Sequence, residues 1–528
     1  MYKRTSSRDR SSTFDVEETT VTKLFERSLS LVLVFLLALV QNGTEVENTN
    51  PSWKLSFPHV LVATLSSFLF GYHLGVVNEP LESISLDLGF NGNTLAEGLV
   101  VSMCLGGAFI GSTLSGWIAD GVGRRRAFQL CALPMIIGAS ISATTRNLIG
   151  MLLGRFVVGT GMGLGPTVAA LYVTEVSPPF VRGTYGAFIQ IATCLGLMGS
   201  LLIGIPVKEI AGWWRICFWV SIVPAAILCL AMVFCAESPH WLYKKGRTAE
   251  AEAEFEKLLG GSHVKSSLAE LSKLDRGDDG DIVKFEELLY GRHFRASTAA
   301  AAAAEPSLLS LSFIFLLGIC YSHVPFAVVF IGSTLFALQQ LSGINAIFYF
   351  SSSVFKSAGL SSGLANVFVG IANLSGSVVA MVLMDKLGRK ALLQWSFFSM
   401  AVSMAIQVAA SSSYIPGSAA LYLSVGGMLM FVLTFALGAG PVPSLLLPEI
   451  FPSRIRAKAM AVCMSVHWVI NFFVGLLFLR LLEQLGPQLL YSIFGTFCLM
   501  AVAFVKRNVV ETKGKSLQEI EIALLPQE

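Results

Sequence analysis

The sequence contains few charged side chains and no motif for a metal or a nucleic acid. Asp, Glu, Lys and Arg make up 13% of its 528 residues, whereas a soluble domain has about 25%. The net charge of +3 is small and the basic residues are dispersed, which excludes a typical nucleic-acid-binding surface. The nine cysteines include no Cys-x-x-Cys pair and lie almost all in apolar runs, and the seven histidines show no ligand spacing. We therefore expect neither a disulfide framework nor a metal site.

Motifs for catalysis and nucleotide binding are also missing. The sequence shows no P-loop and no Ser-His-Asp arrangement. Gly159, Gly161, Gly163 and Gly165 do not fit the pattern G-x-G-x-x-G, and they lie within an apolar run rather than after a strand. Close packing between membrane helices explains this spacing better. The sequence therefore predicts that the protein is not an enzyme and binds no cofactor.

Apolar runs of membrane-spanning length are abundant. Hydrophobic residues make up 54% of the chain, and about 20 of them in a row suffice to cross the hydrocarbon core of a bilayer. A first set of six runs lies near residues 58–78, 97–118, 127–145, 150–174, 184–205 and 214–235. A second set lies near 326–350, 364–385, 391–411, 419–446, 458–481 and 488–506. We therefore expect an all-α membrane protein with twelve spanning helices in two six-helix halves.

The distribution of basic residues predicts the orientation of these runs. Lysines and arginines follow the even-numbered runs, so the positive-inside rule places both termini and the central loop in the cytosol. The resulting units are an N-terminal tail at 1–56, a first half at 57–236, a central loop at 237–324, a second half at 325–506 and a C-terminal tail at 507–528. Within the central loop, Thr248–Leu259 is rich in helix formers and Gly260 follows it, which predicts a short helix.

Two further apolar segments do not fit the pattern of twelve spans. Residues 28–40 and 308–322 are each too short for a comfortable crossing, and a crossing at the second would invert the following half. We interpret both as insertions.

Charged residues recur in two matched sets about 265 residues apart. Asp120, Gly123 and Arg124 in the first half have the same spacing as Asp385, Gly388 and Arg389 in the second. A second pair of sets repeats equally closely: Glu175, Pro178 and Arg182, and Glu449, Pro452 and Arg456. Charges at a membrane are costly unless they are paired. Their repetition therefore indicates a duplicated membrane unit, which is typical of secondary transporters.

These motifs, taken in order, resemble those of the sugar porters of the major facilitator superfamily over roughly residues 57–525. The matching segments are GWIADGVGRRR (116–126), GRFVVGTGMGLG (154–165), YVTEVSPPFVRG (172–183), ESPHWL (237–242), QQLSGINAIFYF (339–350), MDKLGRK (384–390), PEIFPSRIRAKA (448–459) and ETKGKSLQEIE (511–521). Within the family, FGYHLGVVNEP (70–80), 437–460 and HWVINF (467–472) resemble plant plastidic glucose transporters and their Golgi relatives. The resemblance implies the major facilitator fold, with halves related by a pseudo-two-fold axis, and transport of a hexose, glucose above all, by alternating access.

The resemblance also implies a set of sugar-binding side chains. A hexose site needs neutral groups that donate and accept hydrogen bonds, together with an aromatic plane. The positions that match the family's sugar contacts are Gln190, Gln339, Gln340, Asn345, Asn373, Trp468 and Asn471. For an isolated amide, hydrogen bonding between helices is an equally good interpretation. Two positions depart from the family: Ser444 stands where many sugar porters have Trp, and Ala436 where animal facilitative porters have Glu.

The repeated charges imply a gating network. Its expected members are Asp120, Arg124, Glu175, Arg182, Glu237, Asp385, Arg389, Glu449, Arg456 and Glu511. Such a network, formed in one state of the carrier and broken in the other, could bias a two-state equilibrium. The alternative is that the positive charges only mark the topology.

The mode of energy coupling depends on His73 and Arg155. Related proton-coupled porters carry Asp where this chain has His73, and that Asp pairs with the Arg matching Arg155. Because imidazole cannot form the same ion pair with a guanidinium, we expect facilitative uniport. Proton-coupled symport is the alternative, and a non-transporting sugar sensor is the alternative of another class.

The partners and the membrane remain expectations of the sequence. We expect a sugar substrate, a surrounding lipid bilayer and a functional monomer. Residues 1–13 partly fit a plastid transit peptide, but Asp15, Glu17 and Glu18 follow at once and no long segment precedes the first run. This favours the Golgi or another endomembrane slightly over the plastid inner envelope.

Overall fold

The computed structural model describes residues 53–178, 181–208, 210–276, 324–357, 362–412, 417–451 and 456–513. All of the regular structure in these ranges is helical. The two apolar segments at 28–40 and 308–322, and most of both tails, lie outside the described residues.

The described part of the first half contains six long α-helices and one short α-helix. Their bounds are α1 Trp53–Gly75, the short α2 Leu81–Asp87, α3 Thr94–Val122, α4 Arg124–Thr144, α5 Leu148–Val176, α6 Arg182–Leu202 and α7 Trp214–Ala231. Several helices extend beyond the apolar runs; α1, for instance, begins five residues before residue 58. Hydropathy marks only the apolar part of a helix, whereas the hydrogen-bonded backbone continues into polar residues.

Three short helices follow the first half. They are α8 Pro239–Lys244, α9 Thr248–Leu259 and α10 Val264–Arg276. The helix predicted at Thr248–Leu259 is confirmed with both of its bounds, and it ends before Gly260, whose φ is +83°. Phe255 and Leu258 on one side of α9 are buried, so this helix packs on the bundle instead of projecting from it.

The second half repeats the first with two irregular spans. Its helices are α11 Val324–Leu341, α12 Ile344–Ser357, α13 Ser362–Leu387, α14 Arg389–Ala410, α15 Gly417–Thr434, α16 Pro441–Ile450 and α17 Arg456–Asn508. A π-helical segment, Phe435–Ala439, joins α15 to α16. Gly486 has a non-helical φ of +76° inside α17, so this element is two spans in succession. In the described part of the chain, eleven helical segments are long and apolar enough to span a membrane, and the last contains two spans. The predicted twelve crossings are therefore present.

Glycines allow the helices of the first half to pack closely. A Cβ at Gly159 would lie 2.0 Å from the carbonyl oxygen of Cys104, and one at Gly163 would lie 2.1 Å from that of Ala108. The expected role of this glycine run in helix packing is therefore confirmed: α5 lies against α3 at backbone distance. The two halves meet where α6 packs on α13 and where α3 packs on α17.

Candidate functional site

A break in the seventh span positions three of the expected sugar-binding amides. Helix α11 ends at Leu341 and α12 begins at Ile344. Between them Gly343 has a φ of +87°, and a Cβ there would lie 2.5 Å from the ring of Phe494. Only glycine suits this backbone without strain. The break at Ser342-Gly343 brings the end of α11 next to the start of α12.

These three amides form one hydrogen-bonded chain. Gln339 Nε2 donates to the carbonyl oxygen of Ala439 at 2.5 Å. Gln340 Nε2 donates to Gln339 Oε1 at 3.2 Å, and Asn345 Nδ2 donates to Gln340 Oε1. All three side chains are buried. Ala439 ends the π-helical segment, an irregularity that is common at functional sites.

Trp468 and Asn471 lie on α17 beside this chain of amides. The indole of Trp468 is 2% exposed and packs edge-on against Phe70 of the first half, with ring centroids 6.0 Å apart. Within the described residues, its buried Nε1–H has no hydrogen-bond partner. Asn471 Oδ1 accepts a hydrogen bond of 3.1 Å from the hydroxyl of Tyr349. A buried donor without a partner is unusual and calls for a ligand or a water.

Gln190 and Asn373 form a second group where the halves meet. Both donate to the sulfur of Cys194, over 3.7 Å from Gln190 Nε2 and 3.4 Å from Asn373 Nδ2. The same sulfur lies 3.2 Å from Ser377 Oγ. Gln190 and Cys194 lie on α6, while Asn373 and Ser377 lie on α13. No hydrogen bond among the described residues joins this group to the amides of α11.

Within the part of the chain that the structure describes, the two departures from the family pattern form no direct hydrogen bond with these groups. Ser444 donates to the carbonyl oxygen of Pro441 at 2.8 Å and remains exposed. Ala436 is buried in the π-helical segment. From this span, Ala439 and, at the longer distance of 3.5 Å, Gly440 accept hydrogen bonds from Gln339 through their main-chain oxygens.

Charged side chains cluster where α3 ends and α4 begins. Arg124 forms a bidentate ion pair with Glu175, with two nitrogen–oxygen distances of 2.8 Å, and it also contacts Asp120 at 3.2 Å. Glu237 accepts hydrogen bonds from the main-chain N–H groups of Arg124 at 2.9 Å and Arg125 at 3.3 Å. A carboxylate at the first turn of α4 offsets its unpaired N–H groups.

The second half has the same arrangement at the start of α14. Glu511 accepts from the main-chain N–H groups of Arg389 at 2.9 Å and Lys390 at 3.0 Å. Gly123 and Gly388, which precede the two helices, have φ values of +93° and +88°, and a Cβ at either would lie within 2.7 Å of the capping carboxylate. We call the end of the bundle that carries Arg124, Glu237, Arg389 and Glu511 the charged end.

The two capping carboxyl groups differ in their pKa. Burial raises the pKa of Glu237, and the hydrogen bonds from main-chain N–H groups offset this only in part. Burial also acts on Glu511, but there the hydrogen bonds from four main-chain N–H groups prevail, so its pKa is lowered.

Four members of the expected gating network cannot be placed in this arrangement. The side chains of Arg182, Asp385, Glu449 and Arg456 lie outside the described residues. For Arg124, Glu175, Glu237 and Glu511, the contacts given above all stay within one half of the molecule.

His73 and Arg155 lie next to each other but do not form a side-chain pair. Arg155 donates from both terminal nitrogens to the carbonyl oxygen of His73, each at 3.3 Å, and from Nε to that of Val100 at 3.2 Å. The imidazole of His73 is fully buried, and in the described part of the chain neither of its nitrogens has a hydrogen-bond partner. No acidic side chain in these ranges forms an ion pair with Arg155.

The end of the bundle opposite the charged end carries a buried polar cluster that the sequence reasoning missed. We call it the Glu79 cluster; its members are Asn78, Glu79, Lys208, Ser351, Ser352 and Asn366. Glu79 pairs with Lys208 in the first half and accepts hydrogen bonds from Ser352 and Asn366 in the second.

Asn78 adds three further contacts between the halves. Its Nδ2 donates to Ser351 Oγ at 2.7 Å and to the carbonyl oxygen of Phe348 at 2.8 Å. Its Oδ1 accepts from the main-chain N–H of Ser352 at 3.1 Å. Asn78 and Glu79 occur within FGYHLGVVNEP, so an acidic residue next to an amide at the end of a span was the available signal.

Comparison with known proteins identifies the family. The sequence model of the Sugar (and other) transporter family matches residues 59–524. The chain therefore belongs to this family, whose members are carriers and not enzymes.

Individual relatives agree with this assignment. The chain is 68% identical to the probable plastidic glucose transporter 2 of Arabidopsis thaliana, over 99% of this chain and 97% of that protein. It is 67% identical to the probable plastidic glucose transporter 3 of the same plant, over 92% and 91%. Among solved structures, the proton:xylose symporter XylE bound to 6-bromo-6-deoxy-D-glucose matches with a TM-score of 0.70 and 27% identity, over 89% of this chain and 99% of that one. The protein is thus a multi-pass membrane sugar transporter with the expected major facilitator fold.

Proposed function

We propose that the protein carries glucose across its membrane as a facilitative uniporter, acting as a monomer. The observation that carries this proposal is the chain of neutral amides on α11 and α12 next to Trp468, whose buried N–H has no partner among the described residues. Neutral amides and an indole suit a polyol better than an ion. The glucose named for both plant relatives, and the glucose derivative held by the bacterial symporter, support the choice of hexose.

We propose that the sugar lies between the halves, in contact with both groups of amides. Gln339, Gln340 and Asn345 would bind it from the second half, with Trp468 and Asn471 beside them. Gln190 and Asn373 flank Cys194 where the halves meet. A sugar that contacts both α6 and the α11–α12 break favours states in which the two halves approach it together, which is the basis of alternating access.

Flux of radiolabelled glucose into proteoliposomes tests the proposal directly. Saturable uptake that equilibrates, together with exchange for unlabelled glucose, is the expected result. Absence of flux with glucose, galactose and xylose would refute the proposal.

A paired substitution tests the assigned site. Gln340→Ala should raise the half-saturation constant about 5- to 150-fold, because an unpaired sugar hydroxyl or partner amide costs about 1–3 kcal/mol. Cys229→Ala is the control, since this cysteine lies on α7 and is only partly buried. Equal effects of the two changes on the half-saturation constant would show that the site is assigned wrongly.

Proton-coupled symport is the second candidate, because XylE is named a proton:xylose symporter. The contacts of Arg155 support uniport instead: main-chain carbonyl groups surround its guanidinium, and in the described ranges no carboxylate pairs with it. A pH gradient imposed on glucose-equilibrated proteoliposomes separates the two. Uphill accumulation of glucose that is lost in His73→Ala would establish symport through this position.

We propose that the charged end faces the cytosol and that the membrane is the plastid envelope. The positive-inside rule supports the orientation. The plastidic names of the two relatives support the location and outweigh the slight preference for the Golgi drawn from the sequence. A C-terminal fluorescent fusion imaged against markers of both membranes tests it, and coincidence with the Golgi marker would refute it.

A further inference from the structure

His467 lies beside the amide chain and was not among the expected site residues. It precedes Trp468 on α17, and two aromatic rings fix the plane of its imidazole. The ring centroid of Phe336 is 5.2 Å away and that of Trp468 is 4.9 Å away, both edge-on. Its Nδ1 lies 3.0 Å from Nε2 of Gln340.

The row of hydrogen-bonded amides ends at a backbone carbonyl group, and this end determines which amide donates to which. The carbonyl oxygen of Ala439 can only accept, so Gln339 presents its amine to Ala439 and its oxygen to Gln340. Gln340 must then donate to Gln339, and its own oxygen accepts from Asn345.

This direction determines the tautomer of His467. The amine of Gln340 has two hydrogens, one of which is used by Gln339. The second meets Nδ1 of His467, which must therefore be the unprotonated nitrogen, with the proton on Nε2. With both of its N–H groups used, the Gln340 amide has only an acceptor lone pair left for a ligand.

We propose that His467 is a positioning residue that makes Gln340 act towards the sugar as a hydrogen-bond acceptor. This inference rests on the proposed function. The sugar hydroxyl at Gln340 must then donate its hydrogen. If the acceptor at Nδ1 is removed, one N–H of Gln340 is released, and the amide can turn and donate to the sugar instead.

Deoxyfluoro-glucoses distinguish a donated from an accepted hydrogen bond, because fluorine in place of a hydroxyl cannot donate. The experiment compares glucose with its deoxyfluoro analogues, each tested as an inhibitor of labelled glucose flux. The proteins are wild type, His467→Leu, His467→Asn and His467→Gln. Asn keeps an acceptor, because its oxygen lies at the same number of bonds from Cα as Nδ1 of histidine. Leu has a similar branched shape but no acceptor. Gln places its amide one bond further out, at the distance of Nε2.

In the wild type, one fluoro analogue should bind about tenfold more weakly than glucose, equivalent to about 1.4 kcal/mol. In His467→Leu and His467→Gln, the ratio of the inhibition constants of the fluoro analogue and glucose should fall below about threefold. In His467→Asn, this ratio should return towards the wild-type value. The half-saturation constant for glucose should rise in the Leu variant with little change in maximal rate. His263→Leu, in the turn between α9 and α10, is the matched control.

Identical ratios of fluoro analogue to glucose in the wild type and in the Leu and Gln variants would overturn the inference. A loss of maximal rate that Asn does not restore would also overturn it, because it would indicate a purely structural role. If the Leu variant fails to insert, the comparison of Asn with Gln still decides between these outcomes. Absence of saturable flux in the wild type would instead refute the proposed function, and with it this inference.

Discussion

The two ends of the bundle use polar contacts in opposite ways. In the Glu79 cluster, hydrogen bonds run from Asn78 and Glu79 in the first half to Ser351, Ser352 and Asn366 in the second. At the charged end, the contacts described for Arg124 and Glu237 remain in the first half, and those of Glu511 remain in the second. The Glu79 cluster therefore joins the halves, while the contacts described at the charged end each hold helices of a single half together.

The half that supplies the partners of each buried charge explains why these ends serve different purposes. Glu79 has a side chain that is 3% exposed, so its ionised form depends on Lys208 and on the hydrogen bonds from the other half. Separation of the halves at this end exposes or unpairs that carboxylate. The contacts at the charged end survive a rigid-body movement of either half. Of the contacts that the described residues make, those of the Glu79 cluster oppose separation of the halves and those of Arg124, Glu237 and Glu511 do not, which favours opening towards the charged end.

The largest expected effect comes from breaking the Glu79 cluster. Glu79→Ala removes the acceptor of hydrogen bonds to a charged group, each worth about 1.5–3 kcal/mol. The Glu79 end should then open more often, by at least about tenfold in population. The readout is the rate at which an impermeant maleimide labels a cysteine introduced at Val77, a buried neighbour of the cluster. Glu82→Ala, at a nearby exposed acid, is the control, and equal labelling rates in the two variants would contradict the role of the cluster.

A smaller effect is expected from the glycines at the charged end. Gly123→Ala and Gly388→Ala each force a non-glycine residue to positive φ, a strain of about 1–3 kcal/mol, and each new Cβ collides with a capping carboxylate. Both variants should unfold at a temperature several degrees lower in detergent. Gly246, with φ of +75° and no atom near its Cβ position, isolates the strain from the collision. If Gly246→Ala lowers the unfolding temperature as much as the other two changes do, the collision with the capping carboxylates contributes nothing to the loss of stability.

The pH dependence of the two caps should differ in sign. Because the pKa of Glu511 is lowered in the folded protein, its contribution to stability is present above its ordinary pKa and is lost as the pH falls through the lowered value. The raised pKa of Glu237 means that its ionisation opposes folding, so this penalty is relieved on acidification.

Thermal unfolding of Glu511→Gln and Glu237→Gln between neutral and acidic pH checks this difference. The deficit of Glu511→Gln should be largest at neutral pH and should shrink as the pH falls below the ordinary range of a glutamate carboxyl, where the wild-type carboxylate becomes protonated. Glu237→Gln should lower the free energy of unfolding at neutral pH by less than about 1 kcal/mol, because the glutamine oxygen can still accept hydrogen bonds from the helix N-terminus. Parallel pH profiles for the two variants would contradict the assigned difference.

The smallest effect is expected where a contact between the halves is exposed. Thr94 donates to Glu483 over 3.4 Å at the Glu79 end, in a solvent-exposed position. Water replaces such a bond at little cost, so Thr94→Val should change the labelling rate at position 77 by less than about twofold. If Thr94→Val changed the labelling rate as much as Glu79→Ala does, any contact between the halves would oppose opening at this end, whether buried or exposed.

The architecture could be predicted from the sequence because hydropathy and repeated charges are properties of single segments. The twelve spans and the helix at Thr248–Leu259 both follow from local composition. Helix bounds were less accurate, since backbone hydrogen bonding continues past the apolar run.

Pairing across the fold was harder to predict. The sequence marked Glu237 and Glu511 as members of one network, but it could not reveal that each carboxylate caps a helix of its own half. His467 and Lys208 were missed because neither lies in a repeated motif. Their importance comes from partners 127 and 129 residues away in the chain, and such contacts exist only once the helices have packed.

The break at Gly343 gives the seventh span two mechanical parts. Helix α11 carries Gln339 and Gln340, and α12 carries Ser351 and Ser352. Ser351 lies about 10 Å along α12 from the joint, so a tilt of about 15° displaces it by about 3 Å, which is enough to break its hydrogen bonds. The same tilt leaves α11 where it was. A tilt of α12 about this one glycine can thus release the Glu79 cluster while Gln339 and Gln340 keep their positions.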